Sequence, residues 1–349
     1  MRHSPEFLPV PAPLEPEHAP VADQPRPIEE VLLDPSTPWL GAVAAAGLSL
    51  LGGLPAASAL LYGGIVMFGQ NVISWTLFHR YFSLRCFRRA LYYAEGLEAS
   101  AWLDRFRTVC RINRIACHIG LGEFARAKAL LRTVPRERLA PIARAALEVN
   151  MAALYVRMMA PDSALALLDD VCVKHLPSDW VPFYHFHRAC AHVLREDWRN
   201  AASELARVDE LAPPPEIRIS ALGLRAILLA EDVKDRAAAL ALSNEAVRRV
   251  GGQHRAHLLV LVTHARLILD TTGNAQDCLD MLSAVIGHET ELWLSGQAEF
   301  HYLLARCYAL CGVEADARAH LALARELPCP PRLRHRIHAL EPEAVAAAG

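Results

Sequence analysis

The stretch Tyr302–Pro328, YLLARCYALCGVEADARAHLALARELP, decides how this chain folds. Two apolar-striped segments flank Gly312, and in the second of them Ala317 and Leu321 stand four residues apart, on one face of a helix. The same pair, a small residue followed four later by Leu, recurs upstream as Cys278/Leu282, Ala238/Leu242, Ala201/Leu205, Ala164/Leu168 and Ala127/Leu131. From the first copy onward the intervals are 37, 37, 37, 40 and 39 residues. Three other columns keep step with these anchors. Twelve residues earlier lie Ile115, Ala152, Ala189, Ala226, Arg266 and Ala305, and nine earlier His118, Tyr155, His192, Leu229, Leu269 and Tyr308, all large. Seven later come Val134, Val171, Val208, Glu245, Val285 and Ala324. The two misfits, Arg266 and Glu245, have Ala265 and Ala246 beside them.

Each copy predicts two helices, with Gly122, Gly273 or Gly312, or the polar runs Arg195-Glu196-Asp197 and Glu231-Asp232, at the turn between them. One helix pair cannot cover its own apolar faces, so neighbouring pairs must stack, and the expected fold is all-α, an α-solenoid of about six pairs. The run Leu304-Ala305-x-x-Tyr308, the Gly312 turn, Ala317, Leu321, Ala324 and a closing Pro328 resembles a tetratricopeptide repeat. The resemblance covers roughly residues 98–328. The aromatic residue near each unit's start is mostly missing, Ala replaces the family's helix-packing Gly, and the period exceeds the family's 34. Ala90 lies 37 residues before Ala127, which suggests that residues 79–97 form a basic juxtamembrane helix that caps the array.

In the family, the first helix of each unit lines a concave groove that receives a peptide or a partner helix. Carried over by register, this implies a groove containing Val149, Ala153, Phe183, Phe186, Cys190, Ile227, Tyr302 and Arg306. Fourteen residues before the first three anchors stand Asn113, Asn150 and His187, a polar ladder suited to an extended peptide backbone and equally to satisfying helix-end carbonyls or facing water. A basic clamp for a terminal carboxylate is not expected, because Ile112, Ala116 and Phe183 occupy positions where it would need Lys or Arg.

The composition agrees with helices: 53% of residues are hydrophobic and only 7% aromatic, so the core must be built from Ala, Leu and Val. The net charge of −2 conceals an uneven distribution. Residues 1–38 hold two basic and seven acidic side chains, whereas residues 79–140 hold thirteen basic and five acidic ones. The nine cysteines contain no CxxC pair and read as free, mostly buried thiols of a reducing compartment.

Residues 1–38, acidic, rich in Pro and without hydrophobic periodicity, are expected to be a disordered arm. Between Asp34 and His79 lie 44 residues without Asp, Glu, Lys, Arg or His. Since a bilayer core needs about 20 apolar residues per helix, residues 39–78 read as one transmembrane helix, or as two turning at Gly52–Pro55 or Gly63-Gly64. Arg80, Arg85, Arg88 and Arg89 follow, marking a cytoplasmic flank able to hold anionic headgroups. Residues 329–349 read as a C-terminal tail. The expected location is a membrane with the solenoid in the cytoplasm, a bacterial inner membrane being favoured by the excess of Arg over Lys and an organelle's membrane being the alternative.

No GxxxxGK, HExxH or GxSxG motif is present, and on a helix His185 and His192 share a face that His187 and Cys190 do not. No metal, cofactor, nucleic acid or enzymatic activity is therefore expected. The function expected is a membrane-anchored scaffold or adaptor whose groove binds a protein partner. The alternatives are a self-associating structural membrane component, a homo-oligomer, and a membrane-bound regulator of an enzyme.

Overall fold

A computed structural model of the chain describes residues 56–83, 86–251 and 257–346. The acidic arm, the first part of the expected span and Arg85 lie outside the described residues. The chain divides into two compact units, residues 1–74 and 75–349, and the repeats belong to the second. Among the described residues all regular structure is helical and no strand occurs. None of these helices is long and apolar enough to cross a membrane. Helix α1 (Ala56–Ser83) runs unbroken through Gly63-Gly64, which corrects the expectation of a turn there.

Helix α2 (Phe87–Ser100) precedes six helix pairs. They are α3 (Asp104–Gly120) with α4 (Phe124–Leu131), α5 (Pro141–Arg157) with α6 (Pro161–Asp169), and α7 (Val181–Leu194) with α8 (Trp198–Glu210). There follow α9 (Pro215–Leu228) with α10 (Arg236–Val250), α11 (Leu258–Thr272) with α12 (Ala275–Ser283), and α13 (Leu294–Leu310) with α14 (Glu314–Glu326). Each helix packs on its pair mate, and first helices of neighbouring pairs also touch, as in a helical-repeat array. Helix α15 (Pro331–Ala346) ends the described chain, in the segment read as a tail.

The turn inside each pair explains the period. Each contains one residue with a left-handed backbone: Gly122, Met159, Glu196, Lys234, Gly273 and Gly312, with φ between 60° and 75°. In four turns the next N–H closes onto the carbonyl of the large residue nine before the anchor: Glu123 to His118, Ala160 to Tyr155, Asp197 to His192 and Val313 to Tyr308, at 2.8–2.9 Å. The left-handed residue bonds one carbonyl further on, Gly122 to Ile119 for example, so the helix ends in a two-bond αL cap. The following residue often caps the second helix, as Asp197, Asp235 and Asn274 do through their side chains.

The fourth pair departs from this plan. Its first helix ends in a π-turn, Leu229–Val233, and the closing bond runs from Asp235 N–H to the Leu229 carbonyl, six residues apart instead of five. That extra residue displaces α10 by one position. The buried residues are Ala239, Ser243 and Ala246, all fully buried, so the anchor expected at Ala238/Leu242 is corrected to Ala239/Ser243, and Glu245 leaves the core column to Ala246. Ser243 pairs its buried hydroxyl with the Leu240 carbonyl at 3.0 Å and His264 Nδ1 at 2.8 Å. In the fifth pair Ala265, fully buried, is the packing residue beside the misfit Arg266.

The array also returns on itself. A Cβ added to Gly122, in the first pair's turn, would sit 2.2 Å from the Thr290 carbonyl oxygen, in the linker before the last pair. This turn therefore needs glycine twice, for its φ of +73° and for the close approach of another backbone.

Candidate functional site

Because the linker after five pairs meets the first turn, the concave face is not an open trough but a hollow of about 820 Å³. The first helices of five successive pairs wall it. Phe82, Phe87 and Trp293 also line it. Asn113, Val149, Asn150, Ala153, Phe183, Phe186, His187 and Ile227 all line it, so the structure brings together eight of the eleven residues expected in a groove. Neither Asn113 nor Asn150 makes a side-chain hydrogen bond among the described residues, so both amides are available to whatever enters. Beside them the lining mixes apolar side chains with polar and charged ones, Arg157, Asp179, Glu216 and Glu291 among them. Ser220 and Thr263 extend the polar lining into the fourth and fifth pairs.

Three expected groove residues lie elsewhere. Cys190 is fully buried against a small separate cavity of about 40 Å³. Tyr302 is 5% exposed within the core of the last two pairs, and Arg306 pairs with Asp270 at 2.6 Å with its guanidinium over the Tyr302 ring. The reason is α15, which covers the part of the concave face nearest the turns of the later pairs.

Several long-range contacts hold α15 there. Glu196, in the third turn, accepts the Arg332 backbone N–H at 3.0 Å, satisfying a donor in the first turn of α15, and the Arg332 guanidinium stacks over Trp198 at 4.9 Å. Arg336 donates to both carboxylate oxygens of Glu231 at 2.9 and 3.0 Å. Glu231 also pairs with Arg266, whose Nε lies 2.9 Å from Glu299. Burial raises the Glu231 carboxyl pKa, but Arg266, Arg332 and Arg336 outweigh it and hold the group below its ordinary value. Arg266, apparently a misfit in an apolar column, is thus a buried cation in an ion-pair cluster joining three pairs to α15. The two sequence signals of this site were that column break and the acidic Glu231-Asp232 turn.

The histidines of the third pair are engaged in structural pairs. His185 Nδ1 lies 2.7 Å from Glu204, which Arg188 also reaches at 2.9 Å, and His192 Nδ1 lies 3.1 Å from Asp197. Burial raises the Glu204 carboxyl pKa, and the bonds from His185 and Arg188 more than offset it. His118 and Glu123, at 2.7 Å, repeat the His192–Asp197 pair two units earlier. All nine cysteines are free, with Cys86, Cys172 and Cys311 exposed. Of the arginines expected to flank a membrane, Arg80 and Arg88 are exposed, and Arg89 lies over the Tyr81 ring at 5.4 Å.

Comparison with protein-family models and with curated proteins finds no match for this chain.

Proposed function

We propose that this protein is a tetratricopeptide-like adaptor, attached to a membrane through the apolar segment 39–78, which receives a short segment of a partner protein in its hollow. The observation that carries this reading is the hollow itself, about 820 Å³, walled by first helices and lined by unpaired Asn113 and Asn150 between apolar side chains. A cavity in which apolar patches alternate with spaced amides and charged groups fits a peptide that buries alternate side chains and presents its backbone to the ladder. The cover provided by α15 restricts the partner to the part of the concave face formed by the first five pairs.

Photo-crosslinking in intact cells tests it. A photoreactive amino acid at Phe183 or Ser220, inside the hollow, is expected to capture a discrete partner that the same group at Arg207, on exposed α8, does not. Identical capture from all three positions, or none from the hollow, contradicts the reading.

A further inference from the structure

The edge at which the chain enters the repeat unit combines exposed apolar side chains with an excess of basic charge. Trp102 and Leu103, just before α3, are 79% and 57% exposed, and Ile142, at the equivalent start of α5, is 59% exposed. Nothing in a soluble repeat array requires an indole and two aliphatic side chains to stand in water on adjacent units. Around them Arg105, Arg132, Arg136 and Arg138 are exposed, and among the described residues none of the four makes an ion pair. Segments 101–108 and 132–144 together hold six arginines against two acids, Asp104 and Glu137. The corresponding linker of the second pair, 170–180, has Asp170 and Asp179 against Lys174, and that of the fifth, 284–293, has Glu289 and Glu291 with no Lys or Arg.

Two more observations bear on this edge. Trp75, near the end of the uncharged stretch 35–78 and the first residue of the repeat unit, has its ring 5.6 Å from Phe106 in the first turn of α3, close in the chain to Trp102 and Leu103. The opposite edge of the same pair is already taken, because the Gly122 turn abuts the Thr290 linker.

We propose that the edge formed by Trp102, Leu103, Ile142 and the arginines around them is a docking surface for an anionic lipid bilayer. The apolar side chains enter the boundary between headgroups and acyl chains, as amphipathic aromatics do, and Arg105, Arg132, Arg136 and Arg138 bind headgroup phosphates and carboxylates. This surface is distinct from Arg80, Arg88 and Arg89, and it rests on the membrane attachment proposed above. It seats the first two pairs against the bilayer, so the hollow is presented at a fixed height.

The test uses the full chain, labelled with 5-fluorotryptophan and reconstituted in nanodiscs of phosphatidylcholine alone or with phosphatidylserine. The fluorine resonance missing from Trp102→Phe is that of Trp102. Spin-labelled acyl chains are expected to broaden it in the anionic discs, and the exposed-site variant Arg132→Gln/Arg136→Gln/Arg138→Gln is expected to lose most of that broadening. Flotation with vesicles is read in parallel. A chain that floats while the Trp102 resonance responds only to a water-soluble paramagnet overturns the docking surface and leaves the anchor standing. A chain that floats with neither lipid overturns both.

Discussion

Six turns share one backbone requirement, but only three of them meet it with glycine. At Lys234, an exposed residue with φ of 63°, the side chain is held in a region that costs an L-residue about 1–2 kcal/mol. Lys234→Gly is therefore expected to raise stability by about 1 kcal/mol, and Gly312→Ala, at φ of 75° with open space around it, to lower it by a similar amount. Urea unfolding midpoints of the two variants check both signs. Histidines set a second residue-scale property. His264 is buried beside Ser243, and burial holds its pKa below the ordinary 6.5. Burial and, for His301, the neighbouring His320 ring at 3.2 Å lower the other two likewise. For such groups the unfolded chain binds protons first, so stability is complete above about pH 6.5 and declines as pH falls below it. The unfolding midpoint is expected to drop between pH 7.5 and 5.5, less so in His301→Gln/His320→Gln. An unchanged midpoint contradicts the assignment of three depressed histidines. The glycine half of the turn column was visible in the sequence, but Met159, Glu196 and Lys234 carried no sign of it, since backbone strain is set by the turn's hydrogen bonds and not by residue type.

At the scale of elements, most of the pairing was legible because each anchor must be small to let two helices approach, and a 37-residue spacing of such residues is hard to hide. The fourth pair was misread by one position for the same physical reason. Ala-rich α10 offers Ala238 and Ala239 equally well, and only the π-turn at Leu229–Val233 decides between them. A π-turn inside a helix end commonly re-aims a side chain, and here it brings Glu231 to Arg266 and Arg336. Deleting exposed Asp232 is expected to preserve the fold while releasing α15, seen as faster amide exchange over residues 332–340 with unchanged helix content. The same cluster ranks two substitutions. Glu231→Ala leaves Arg266, 2% exposed, with one fewer counter-charge and is expected to cost about 3–5 kcal/mol, whereas Arg336→Ala removes a half-exposed partner and costs about 1 kcal/mol or less. Equal losses in urea unfolding would show that Glu231 does not anchor the cluster. The position of α15 was not legible, because it depends on contacts more than 100 residues apart in the chain.

At the scale of the repeat unit, a linear array is stabilised by contacts between neighbours alone, and this one adds two ties that skip over neighbours: Gly122 against Thr290, and α15 across the third to sixth pairs. These ties turn a trough into a hollow, and the candidate site depends on them more than on any single lining residue. The ladder Asn113, Asn150 and His187 could be placed from spacing alone because it lies within three strictly 37-residue copies, whereas Tyr302 and Arg306 were misplaced because α15 closes that part of the face. The closure is most directly tested by a spin-label distance between Arg126 and Ile286, both exposed, in a chain whose exposed Cys86, Cys172 and Cys311 are replaced by Ser. Each label lies four residues from the contact and the chain reaches at most about 3.5 Å per residue, so the distance is expected to fall below about 30 Å. A distribution centred near about 50 Å, the span of five stacked pairs at about 10 Å each, would mean that the array stays open and that the hollow does not exist.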